Sequence, residues 1–344
     1  MILPEKRAAV ISAGLILLIA SCLIAAGAAV LAWMTVMPGS SYRGVLPLPA
    51  ASERELAERL RRHVVAIASE EHNVAHYQKL EQAAAYLERV LTGYGYKVRR
   101  QEFDSSAGKV RNLEVSIARP SVNRLKLPVI VVGAHYDSAP GAPGANDNGT
   151  GAAAVVELAR LLKEPEWIGD YELKLVLFVN EEPPYFKTTQ MGSWVHAADL
   201  AANGRQVAAM LVLETIGFYS DGKGSQAYPF PFNLLYPDTG NFIGFVGNLQ
   251  SRKLTARAIS AFRRHALFPS EGVAAPASIP GIDWSDHWAY WQHDYPAVMV
   301  TDTALFRYPH YHTDQDTPDK IDYERLARVV GGLHHVVREL AGRG

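Results

Sequence analysis

The chain has 344 residues, enough for one large or two ordinary domains and for a core that needs no staples. Lys and Arg number 34 against 35 Asp and Glu, so the formal net charge is −1 and the basic excess of a general nucleic-acid binder is missing. The single cysteine, Cys22, excludes an intramolecular disulfide and a cysteine-built zinc finger, so any metal must be held by His, Asp and Glu.

Residues 8–37 carry no charge and are almost wholly apolar. A bilayer core takes about 20 apolar residues in a helix, and this run exceeds that, so a membrane-spanning helix is expected. Lys6 and Arg7 precede it. By the positive-inside rule they keep residues 1–7 cytoplasmic and put the bulk of the chain on the extracytoplasmic side. Two processing routes remain open beside a retained anchor: cleavage in the small-residue stretch Ala25-Ala26-Gly27-Ala28, or lipidation of Cys22 in the lipobox-like Ile19-Ala20-Ser21-Cys22. The apolar run continues past Cys22 as far as Met37, which favours the retained anchor.

Residues 38–51 read as a Pro/Gly/Ser linker, and residues 52–344 as the globular domain. Ser52 with Glu55 forms a capping box opening an amphipathic helix to about Ala68, and a second helix is expected from Tyr77 to Leu91. Strand-like runs follow at 96–103, 110–118, 128–134, 173–179, 208–213, 242–246 and 297–301. Helical patterns fall between several of them, at 151–162, 191–202 and 254–267, and a last one at 319–340. Strands alternating with helices, several of the strands continuous apolar runs, predict an α/β fold whose mixed, mostly parallel sheet is sandwiched by helices. Residues 218–284, rich in prolines and aromatics, are expected to form an inserted lid.

In such a sheet ligands sit beyond the carboxyl ends of the strands. The residues found there are His135 and Asp137 after the run 128–134, Asp147 in the following Asn-Asp-Asn-Gly loop, and Glu181 with Glu182 after 173–179. Glu214 follows 208–213, and Tyr311 with His312 come after 297–301. Imidazole and carboxylate donors without sulfur suit zinc, and less often cobalt or manganese. Two adjacent glutamates past a strand point in different directions, so one can bind a metal while its neighbour faces a water.

The ordered pieces Gly133–Ser138, Gly144–Gly151, Glu181-Glu182, Met191-Gly192-Ser193, Ser285-Asp286-His287, Tyr311-His312-Thr313 and Asp316-Thr317 resemble the zinc-dependent exopeptidases of metallopeptidase family 28. That family includes bacterial leucyl-type aminopeptidases and glutamate carboxypeptidase II. The resemblance implies a zinc-exopeptidase fold, peptide substrates and two Zn2+ per chain. By position His135 and Glu214 would bind one ion, Glu182 and His312 the other, with Asp147 bridging. It also implies that Glu181 is the general base, that Asp137 accepts the other N–H of the His135 ring, and that Tyr311 stabilises an oxyanion. A cis peptide after Asp147 is a further family feature. Glu214 stands where most members carry Asp, and Pro183-Pro184-Tyr185-Phe186 departs from the small residues common there.

The activity expected is therefore an aminopeptidase held at a membrane. A glutaminyl-cyclase-like transferase with one zinc, or a non-catalytic receptor-like ectodomain of the same fold, are the alternatives. Gly149–Ala154 has the G-x-G-x-x-A form of a dinucleotide fingerprint, but a long loop separates it from the preceding strand. No G-x-S-x-G elbow or H-E-x-x-H helix occurs.

Overall fold

In the computed structural model, which describes residues 3–106, 108–120 and 123–342, the apolar runs pair into one eight-stranded sheet. The strands are β1 (Arg99–Ser105), β2 (Gly108–Ile117), β3 (Val129–His135), β4 (Glu172–Phe178), β5 (Val207–Glu214), β6 (Ile243–Gly247), β7 (Ser270–Ala274) and β8 (Ala297–Thr301). Their order across the sheet is β1-β2-β4-β3-β5-β8-β6-β7. The four central strands β4, β3, β5 and β8 run parallel, so their carboxyl ends share one edge. β1 and β2 are antiparallel on one flank, and β6 runs antiparallel to β8 on the other.

The helices are α1 (Leu3–Thr35), α2 (Ala51–Ile67), α3 (Tyr77–Gly93), α4 (Gly151–Leu161), α5 (Gly192–Ala202), α6 (Arg252–His265), α7 (His287–Trp291) and α8 (Tyr323–Ala341). α2, α3, α4, α6 and α8 cover one face of the sheet, joining Leu60, Leu87, Val156, Phe262 and Leu333 into the larger core. α5 and α7 cover the other, where Phe178, Ala197 and Tyr290 pack together. Every residue of β3 and β4 is buried, as the continuous apolar runs required.

Residues 1–36 form one unit and residues 37–344 a second. In the first, Leu17–Thr35 is long and apolar enough to cross a membrane; a signal sequence near an N-terminus has the same character. The side chains of Lys6 and Arg7 lie outside the described residues.

Four features differ from the sequence expectation. The cap of α2 sits two residues earlier, at an extended Ala50 whose N–H donates to Glu53 Oε2 at 2.7 Å, so Glu53 and not Glu55 closes the first turn. Residues 38–51 are a docked strap and not a loose linker: Met37 enters the core, and Arg263 Nη1 donates to the carbonyls of Met37, Pro38 and Gly39 at 3.1–3.2 Å. Residues 218–284 are not one insertion, because β6, α6 and β7 inside that range extend the sheet and its core. Only the flanks of that range are left to cover the sheet edge. Finally, α8 begins after Asp322, which accepts from the Arg325 N–H at 3.0 Å; Pro318 opens a separate short turn before it.

A buried carboxylate ties the helical layer together. Glu157 of α4 accepts from Arg59 Nε at 3.0 Å, His63 Nε2 at 3.0 Å, Tyr94 Oη at 2.9 Å and Arg160 Nε at 2.7 Å. Burial pushes this carboxyl up, yet those bonds hold it down to about 2. The network fixes α2 over the turn 145–150: a Cβ on Gly149 would lie only 3.1 Å from Ala68 Cβ and 3.0 Å from the Gly144 carbonyl. Glu157→Ala leaves Arg59 and His63 without their acceptor and is expected to cost roughly 2–3 kcal/mol, read as a lower urea midpoint at unchanged slope. Glu157→Gln, which retains an acceptor oxygen, should lose less.

Candidate metal centre

The parallel strands deliver the site residues to one edge. His135 is the last residue of β3 and Glu214 the last of β5, while Glu181 and Glu182 follow β4 within four residues. Asp147 lies in the turn 145–150 that leads into α4, and Tyr311 and His312 lie between β8 and α8. Asn180, Thr215 and His312 all adopt left-handed backbone, with φ of 61°, 44° and 56°. Such conformations are costly for side-chain-bearing residues and mark places where the surroundings dictate the chain. The Asp147–Asn148 peptide is cis, as expected.

Two trios of donors meet at Asp147. His135 Nε2 is 3.3 Å from Asp147 Oδ1 and 3.4 Å from Glu214 Oε2. His312 Nε2 is 2.9 Å from Asp147 Oδ2 and 3.4 Å from Glu182 Oε2. The ligand atoms within each trio lie within 4.8 Å of one another. Glu181 Oε2 stands 3.9 Å from His135 Nε2; it lies outside both trios that share Asp147 and forms a third with His135 and Glu182. His135 Nε2, Asp147 Oδ2 and Glu182 Oε1 are buried and, despite these short distances, make no hydrogen bond among the described residues.

Other residues hold these donors in place. The Asp137 carboxylate does not take the main bond from the His135 ring: Nδ1 lies 3.0 Å from the Asp137 carbonyl oxygen and 3.5 Å from its carboxylate. The carboxylate turns instead to the backbone N–H groups of Glu181 and Glu182, both at 3.2 Å, and so orients that pair. Asp316 accepts from the N–H groups of Asn146 and Asp147 at 2.8 and 3.1 Å and from Tyr308 Oη at 2.8 Å. Asn148 Oδ1 accepts from Gly151 N and Thr215 N, both at 3.1 Å, joining the turn to the end of β5. Ser285 Oγ donates to Glu214 Oε2 at 2.6 Å. Gly144 is left-handed, and a Cβ there would come within 2.7 Å of the Asp147 carbonyl.

An apolar pocket of about 110 Å³ opens beside Glu214 and Tyr311, walled by Phe232, Phe242, Phe245, Ile282, Trp284 and Phe306 among others. The Tyr311 ring stacks on that of His312, with centroids 3.9 Å apart. Burial and the nearby carboxylates push its phenol well above the usual range, so the hydroxyl keeps its proton and can donate it.

The family model for peptidase family M28 matches residues 119–337. The chain belongs to that family. It is 40% identical over 263 residues to the Escherichia coli K12 protein YfbL, covering 74% of this chain and 78% of the relative. It is 27% identical over 231 residues to a probable leucine aminopeptidase 1 of Trichophyton verrucosum, covering 62% of this chain and 54% of that one. The chain thus spans about half the length of this fungal relative. Among solved structures, an aminopeptidase from Aneurinibacillus sp. strain AM-1 shares the fold, with a TM-score of 0.64 at 16% identity over 85% of this chain and 96% of that one.

Within this M28 domain the cluster carries more acid than its histidines can balance. Asp137, Asp147, Glu181, Glu182, Glu214 and Asp286 are all buried, against the imidazoles of His135 and His312. Burial pushes the Glu181 and Glu214 carboxyls upward and takes Glu182 to about 8. Asp147 sits below its usual range despite burial, because both histidines face it. Burial works against the charged form of His312, but the facing carboxylates of Asp147 and Glu182 raise it to about 10. Asp286, which sequence reasoning assigned no role, is wholly buried without a hydrogen bond among the described residues and is pushed by burial to about 7. Buried charges persist when paired or bound to metal, and unpartnered imidazole and carboxylate atoms without sulfur fit zinc.

Without a cation, Glu182 and His312 both titrate above their ordinary 4.5 and 6.5, at about 8 and about 10. Groups raised in this way bind protons more tightly in the folded state. Their stabilisation is complete below the unfolded values and is lost as pH rises through the folded ones. Chelator-treated protein should therefore lose melting temperature steadily from pH 5 to pH 9, and Zn2+ added at pH 8 should restore it. A melting temperature that stays flat over that range would show that the cluster does not titrate in this way.

Proposed function

We propose that this M28 peptidase is a membrane-anchored aminopeptidase using two zinc ions, with its catalytic unit on the extracytoplasmic side. The observation that carries the reading is the pair of donor trios sharing Asp147, one oxygen facing each histidine. His135, Asp147 and Glu214 would hold one ion, and Asp147, Glu182 and His312 the other. Zinc bound there would acidify a water and polarise the scissile carbonyl.

The remaining steps belong to the chain's own groups. Glu181, pushed upward by burial, takes the proton of the attacking water on its carboxylate and passes it to the leaving amine. Asp137 keeps Glu181 aimed by accepting its backbone N–H and that of Glu182. The Tyr311 hydroxyl donates a hydrogen bond to the carbonyl oxygen as negative charge develops on it. The apolar pocket beside Glu214 and Tyr311 receives the side chain of the residue whose carbonyl is attacked, which favours large apolar residues.

Metal analysis of the purified protein separates this reading from its rivals: two zincs support it, one favours a glutaminyl-cyclase-like transferase, and none a non-catalytic ectodomain. Glu181→Gln is expected to retain full zinc content while turnover of a leucyl or phenylalanyl anilide falls by about 100-fold or more. Asp147→Asn should lower occupancy of both ions together, since each loses one of its charged ligands. Full activity in the first variant, or one site still filled in the second, would overturn these assignments.

A further inference from the structure

We propose that the outer face of α6, next to Pro38, is a docking surface for the headgroups of anionic phospholipids. This rests on the reading of residues 17–35 as a retained membrane span. In a chain of net charge −1, α6 (RKLTARAISAFRRH) carries five Lys and Arg and no acid. Lys253, Arg257, Ser260 and Arg264 recur at spacings of four, three and four residues and so form one stripe along the helix. The three cations of that stripe are exposed, and Lys253 and Arg257 have no ion-pair or hydrogen-bond partner among the described residues. Arg264 donates to Ser260 Oγ at 2.6 Å and pairs with Glu339, which also accepts from His265 at 2.6 Å.

Chain connectivity limits how far the stripe can lie from the end of the span. Arg257, Ser260, Arg264 and Glu339 line a notch of about 250 Å³ whose wall also includes Pro38. Pro38 follows the last residue of the span, Thr35, by only three positions, which extended chain covers in about 10 Å. Arg263, about a quarter turn round α6 from the stripe, binds the carbonyls of Met37, Pro38 and Gly39 and the Ser270 carbonyl at 2.8 Å, so Pro38 cannot drift from the helix. A link this short brings the stripe within reach of a bilayer's phosphates, and each Lys or Arg near an anionic surface strengthens binding about fivefold. Gly272 of β7 lines the apolar pocket and also abuts Met37. Headgroups bound by α6 would therefore keep the pocket near the bilayer surface.

The test uses the full chain, purified in detergent and titrated with phosphatidylglycerol or phosphatidylcholine while bound lipids are counted by native mass spectrometry. Wild type is expected to retain phosphatidylglycerol over phosphatidylcholine. The K253Q/R257Q variant, which breaks no described contact, should bind phosphatidylglycerol about 25-fold more weakly, and K253Q/R257Q/R264Q about 100-fold more weakly. R124Q/K126Q, on another surface, should keep the wild-type preference. Equal retention of the two lipids, an unchanged preference in the α6 variants, or displacement of the lipid by millimolar inorganic phosphate would overturn the proposal. Carbonate extraction of membranes carrying the full chain checks the anchor separately: a chain released into the supernatant has no span, and the proposal falls with it.

Discussion

Asp147 stands between two imidazoles, with one oxygen 3.3 Å from His135 and the other 2.9 Å from His312. A short side chain can face two partners in this way only if its backbone is held without slack. That constraint accounts for much of the surrounding structure. Asp316 binds the N–H of Asp147 and of the residue before it, and Asn148 ties the following turn to the end of β5. α2 closes over Gly149, and the Glu157 network keeps α2 where it is. A polar network between α2 and α4 thus bears on the position of a single carboxylate.

The same geometry concentrates negative charge. Six carboxyl groups are buried around two histidines, and burial drives Glu181, Glu182, Glu214 and Asp286 toward their neutral forms. Water would relieve this repulsion at a surface; inside the fold only protons or cations can. Proton uptake and metal uptake are therefore competing ways of satisfying one set of donors, which is why pH and metal content are linked at this site.

Much of this was legible in the sequence because the central strands are buried on both faces and read as unbroken apolar runs. Once those were placed, whatever ended each run had to fall on one edge, and His135, Glu181, Glu182 and Glu214 did. The cis peptide after Asp147 came from the family resemblance, since no local propensity points to it. Other features were hidden for specific reasons. β7 (SEGVA) has a glutamate and a glycine where a strand pattern wants apolar residues, and α7 is five residues long. The reading of Asp137 as acceptor of the His135 ring N–H named no oxygen, because sequence does not tell that its own carbonyl lies closer to the ring than its carboxylate. The strap has a linker's composition, and its docking is revealed by distant residues, Arg263, Ser270 and Arg328, that bond to it.

Glu214 occupies a place where the resemblance predicts a shorter aspartate, and the structure shows what the extra methylene entails. A longer side chain has more rotamers to lose, so it needs an anchor to stay in register with His135. Ser285 provides one, donating to Glu214 Oε2 at 2.6 Å, with the Asn148 amide 3.5 Å from the same oxygen. Ser285 directly follows the pocket wall formed by Gly281, Ile282 and Trp284. The anchor of Glu214 and the wall that shapes the apolar pocket are therefore parts of one short segment. A change in the wall that moved Ser285 would release Glu214 from its place, so in this chain the shape of the pocket and the geometry of the donor cluster are not independent variables.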